Sequence, residues 1–139
     1  MNLDLHLRFA GALLIALSLA HLFFPRRFGW REELQNVSLL TRQIFYVHHF
    51  FVALMVGMQG VLCLCFAPTL RHPSPLSLLV LTGLLIFWAL RLAFQFFVYD
   101  SRLWRGHAFN TRAHILFALL WLYLVGVFGW AVWHQSHYH

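Results

Sequence analysis

Residues 76–98 read LSLLVLTGLLIFWALRLAFQFFV, an uninterrupted apolar run whose only formal charge is Arg91. A helix that crosses a hydrocarbon core of about 30 Å takes about 20 residues, and this run is long enough. Pro73-Ser74-Pro75 stands before it, and a polar linker beginning at Tyr99-Asp100 follows it. Working outward from this run settles the fold class.

Three further runs share its character. Leu7 to Phe24 is closed by Pro25-Arg26-Arg27, a helix breaker followed by charge, and Ile44 to Phe66 is ended by Pro68. Ala113 to Trp133 precedes a polar tail. The expected architecture is therefore an all-α integral membrane four-helix bundle with spans at about 7–24, 44–66, 76–98 and 113–133. It forms a single transmembrane domain over 1–139, with both termini on the same side. The chain of 139 residues is 61% hydrophobic and 10% charged, where a soluble domain carries roughly 25% charged residues. Between spans one and two, Phe28 to Gln43 is the most polar stretch, expected as an interfacial loop with a short helix and Ser38 as a cap. Ser18-Leu19-Ala20 loosely resembles a leader cleavage site, yet the first run is expected to stay as a span.

The basic residues are all Arg and outnumber the acids ten to four. Arg presents a planar fork suited to carboxylate or phosphate, although a GC-rich genome produces the same bias. Nucleic acid is excluded as a partner, because the charge lies between spans and not on a water-facing surface. Arg26, Arg27, Arg31, Arg42, Arg102, Arg105 and Arg112 lie in the two longer loops, against Arg8 and Arg71 on the other side. In a bacterial inner membrane that asymmetry puts loops 25–43 and 99–112 in the cytoplasm. Cys63 and Cys65 project about 200° apart on a helix, which suits packing and not a disulfide.

Ionisable residues at membrane depth cost about 2.5–3.5 kcal/mol on insertion scales and mark candidate sites. His21 lies one turn before the end of span one, His48 and His49 open span two, and His114 opens span four. In span three, Trp88, Arg91, Gln95 and Tyr99 follow i, i+3, i+7, i+11 and share one helical face. His107, Asn110, His114, Ala118 and Trp121 do the same in span four. Because spans alternate in direction, these residues and Asp100 are expected to converge at one membrane face. On span two, Ala53, Gly57 and Gly60 form a small-residue stripe with His49 that lets another helix approach. His48 shares the other face with Val52, Met55 and Gln59 and is expected to be the inward histidine of the pair.

Three chemistries fit such a cluster. Haem b takes axial His ligands, here from His21, His48, His49 and His114, and Arg91 suits a propionate. This makes a haem-binding electron-transfer protein the leading expectation. A non-haem metal (iron, zinc or copper) held by the same histidines with Asp100 would make an enzyme acting on a lipid-like substrate. A quinone or lipid headgroup hydrogen-bonded by His and Tyr99 needs no metal. Carboxylate-bridged di-iron chemistry is disfavoured, since Glu-x-x-His is missing. From a different class, the cluster is purely structural in an accessory or assembly subunit of a larger membrane complex or in a homo-oligomer. Glu32 and Glu33 read as solvated loop residues; the tail histidines His134, His137 and His139 match no defined metal spacing. Trp30, Trp104, Trp130 and Trp133 stand where interfacial aromatic belts form.

Overall fold

The computed structural model describes residues 2–98, 106 and 108–137. Its elements are α1 (Leu3–Arg27), α2 (Trp30–Glu33) with a 3-10 turn at Leu34–Asn36, α3 (Leu39–Cys65), α4 (Ala67–Arg71), α5 (Pro75–Phe97) and α6 (Ala108–His137). The fold class is all-α, and α1, α3, α5 and α6 are each long and apolar enough to cross a membrane. At a rise of about 1.5 Å per residue even α5 reaches about 34 Å. Contacts divide the chain, expected as one domain, into two compact units: Leu5–Ala67, and Met1–Asp4 with Pro68–His139.

The unit of Leu5–Ala67 is an antiparallel hairpin of α1 and α3. Its seam is made of small residues, so the backbones nearly touch: a Cβ added at Gly60 would lie 2.9 Å from the Gly11 carbonyl oxygen and from the Ile15 amide nitrogen. Close approach of this kind replaces the hydrophobic drive that lipid cannot supply between spans. Ser18 Oγ donates to the Ala53 carbonyl at 2.7 Å, and Arg8 Nη1 donates to that of Leu64 at 3.2 Å. The stripe of Ala53, Gly57 and Gly60 is thus the packed face of α3, and it carries His49 inward. His48, expected as the inward histidine, is exposed on the other side.

Pro25 was expected to stop the first span, and it does not: α1 continues through it to Arg27. The turn comes at Gly29, whose φ of 63° lies in the left-handed region that glycine enters without a Cβ penalty. Ser38 caps α3, its Oγ accepting from the Thr41 amide at 3.2 Å, so α3 begins a turn and more before the expected span. Pro68 does stand beyond the end of α3, whose last residue is Cys65. It sits in the first turn of α4, where its missing N–H costs nothing.

The second unit is built on the antiparallel α5–α6 hairpin. Ser74 caps α5 by accepting from Ser77 N at 3.1 Å, and Pro75 follows at the first helical position. Trp88 is 1% exposed and stacks on Trp121, centroids 5.0 Å apart and planes 20° apart; Phe117 also stacks on Trp121, at 5.7 Å. At the opposite end of the hairpin, Gln135 is fully buried: Nε2 donates to the carbonyls of Leu70 at 2.6 Å and His72 at 3.0 Å, and Oε1 accepts from Ser74 N at 3.2 Å. One side chain thereby satisfies the carbonyls that the end of α4 leaves without helical partners. Residues 134–137, expected as a tail, are part of α6.

Candidate functional site

Each hairpin holds its own group of intramembrane polar side chains. In the first, the arrangement follows from Pro25. Proline has no N–H, so the carbonyl four residues earlier, that of His21, loses its helical donor. His49 Nε2 donates to that carbonyl at 2.7 Å across the hairpin. His21 itself turns its Nδ1 to the Leu17 carbonyl at 2.8 Å, one turn back in its own helix. The two imidazoles lie 5.4 Å apart, tilted by 30°. Trp30 from α2 closes over them, edge-on to His49 at 4.6 Å and to Phe45 at 4.8 Å, and Phe24 flanks His21 at 4.8 Å. His49 therefore uses on the backbone the Nε2 that haem ligation would require. Trp30, expected in an interfacial belt, packs on histidine.

In the second hairpin the side chains address one another. Arg91 Nη1 donates to Gln95 Oε1 at 3.2 Å, and Gln95 Nε2 meets His114 Nδ1 at 2.6 Å. A guanidinium is donor only, so the amide oxygen must face Arg91 and the amide NH2 must face His114. His114 Nδ1 is then an acceptor, and the ring proton sits on Nε2. Gln95 is 4% exposed, and the Arg91 guanidinium carbon lies 5.0 Å from the Trp121 ring centroid, a cation–π contact that supports the charge where hydration is scarce.

Beside this relay lies a groove of about 370 Å3 lined by Leu92 and Phe96 of α5 and by His114, Ile115, Ala118, Leu119 and Leu122 of α6. Ala118, one turn after His114, leaves the room. The Phe96 ring meets His114 edge-on at 5.9 Å. Among the described residues, the only polar side chain on the groove wall is that of His114.

The helical spacing thus brings Arg91 and Gln95 together with His114, as expected, and adds Trp121 from the same face of α6. Tyr99, Asp100, His107 and His139 lie outside the described residues. Among the described residues no group of three or more His, Cys, Asp and Glu is placed to hold a metal ion. Two functional contacts escape a reading by helical spacing: the bond between His49 and the carbonyl freed by Pro25, and Gln135, whose signal was an amide near the end of an apolar run. Comparison with known proteins finds no matching family, no similar curated protein and no similar solved structure.

Proposed function

We propose that the chain is a membrane protein that binds a quinone-type amphiphile at the α5–α6 hairpin, with His114 Nε2–H donating to a ring carbonyl. The observation that carries this reading is the Arg91–Gln95–His114 relay. It orients a neutral histidine as a hydrogen-bond donor at the wall of an otherwise apolar groove. Ligand sites of this kind are mostly apolar with a few placed polar groups. Leu119 and Leu122 extend the groove along α6 and suit an isoprenoid tail. In a bacterial inner membrane the site lies toward the cytoplasm, because the arginine-bearing loops 25–43 and 99–112 face inward and the second of them joins α5 to α6.

The test is quenching of tryptophan fluorescence by a short-tailed ubiquinone analogue in detergent-purified chain. Saturable quenching should weaken about tenfold in His114→Phe, the loss of about 1.4 kcal/mol expected of one hydrogen bond. Equal affinity in wild type and variant sinks the reading.

One observation favours haem b as a second reading. His48 Nδ1 bonds the Ile44 carbonyl at 2.9 Å, which leaves Nε2 as the coordinating nitrogen on an exposed face of α3. Bound haem would make the chain an electron carrier. Oxidised and dithionite-reduced absorption spectra decide it: a Soret band that disappears in His48→Ala supports the reading, and a featureless spectrum after expression with ample haem removes it.

A further inference from the structure

At the end of the second unit away from His114, Pro68, Arg71, His72 and Pro73 of the α4–α5 connection and His134 of α6 line a pocket of about 300 Å3. Its three polar side chains are all cationic or able to become so. The pocket has a fixed frame. Gln135, adjacent to His134, binds the carbonyls of Leu70 and His72 and the amide of Ser74, holding the backbone on both sides of Arg71. Ser77 Oγ adds a bond to the Thr69 carbonyl at 3.0 Å, and the two prolines stiffen what remains. Arg71 is itself oriented, because its Nε lies 3.2 Å from Asp4 Oδ1. That contact is an ion pair in which Asp4 Oδ1 accepts no hydrogen bond, so the guanidinium N–H donors can still address a planar or tetrahedral anion. The Arg71 side chain is 52% exposed, so the pocket opens at the end of a hairpin of two apolar spans, the depth at which headgroup phosphates lie.

We propose that this pocket binds a phosphate group through Arg71, His72 and His134. Arginine forks match phosphate oxygens in pairs, and charge-assisted bonds of this kind are about twice as strong as neutral ones. Phosphate can arrive in two forms, as a phospholipid headgroup or as a free soluble ion. The full chain in mild detergent separates them when its melting temperature is followed against inorganic phosphate, short-chain phosphatidylglycerol, and a glycolipid with the same tails and no phosphate, all at matched ionic strength.

Saturable stabilisation by phosphatidylglycerol and not by the glycolipid assigns the site to a headgroup; saturation by inorganic phosphate alone assigns it to a soluble ion, and either result supports the proposal. In both cases Arg71→Gln and His134→Gln should weaken binding at least tenfold. Asp4→Asn breaks the same ion pair yet keeps the guanidinium, so it should retain binding and separate loss of ligand from loss of the pair. If Arg71→Gln fails to fold, His134→Gln, which reaches the pocket from α6, decides alone. Glycolipid acting as well as phosphatidylglycerol, no saturation by either phosphate source, or variants indistinguishable from wild type would overturn the assignment.

Discussion

The two hairpins place histidines at membrane depth and use them in opposite ways. In α1–α3, His49 and His21 both bond backbone carbonyls, at 2.7 and 2.8 Å, and the result is a closed helix seam. In α5–α6, Arg91, Gln95 and His114 bond one another in series, and the result is a ring whose tautomer and orientation are set by its neighbours. A histidine that repairs a backbone defect contributes stability; one that is oriented by other side chains has its tautomer fixed by them. Intramembrane location alone does not distinguish the two, but the hydrogen-bond partner does.

The seams differ as well, and the largest expected effect lies there. Gly60→Leu should abolish pairing of α1 with α3, because the new Cβ meets backbone atoms 2.9 Å away that cannot yield. Gly129→Ala in the α5–α6 seam, where the added Cβ would lie 3.8 Å from Leu85 Cδ1, an ordinary contact, should leave the melting curve of the detergent-solubilised chain nearly unchanged. Equal losses in the two variants would erase the distinction between the seams.

Next in size is His49→Phe, which should destabilise by about 1–3 kcal/mol by stranding the His21 carbonyl. Pro25→Ala restores a helical N–H to that carbonyl. It should therefore stabilise the His49→Phe chain more than it stabilises wild type, and a double-mutant cycle of unfolding free energies reads the coupling. Additive effects would mean that proline and histidine do not answer one another.

A smaller effect on stability and a larger one on the ring are expected for Gln95→Leu. Nitrogen-15 NMR of the His114 side chain should show the proton on Nε2 in wild type and a mixture of tautomers in the variant. An unchanged spectrum would detach the relay from the ring. Smallest of all, His48→Ala should shift stability by no more than about 0.5 kcal/mol, since the side chain lies exposed and bonds only its own helix.

The sequence carried the four spans plainly, because run length and uniform apolarity need no partner to interpret. Helical spacing also predicted that Trp88, Arg91 and Gln95 share a face, and that His114 and Trp121 do. It marked the Ala53, Gly57 and Gly60 stripe as a packing surface. Between His48 and His49 the spacing put His49 on the packing stripe and kept both as candidates; the His21 carbonyl that takes up His49 belongs to a different helix and leaves no local signal. Pro25 read as a stop for the same reason: its cost is borne by a residue that local pattern does not connect to it. Gln135 was hidden by position, since its role is visible only once the α4–α5 turn folds back onto α6.

The interrupted carbonyl ladder at Pro25 also bears on how the chain is made. A first span entering the bilayer ahead of the second carries one backbone oxygen that has lost its ordinary helical donor, in a medium where no water is at hand. α3 brings a donor in His49, whose Nε2 lies 2.7 Å from that oxygen. Pairing with α3 therefore mends the carbonyl ladder of α1, so that the two spans are coupled at the proline as well as along their small-residue seam.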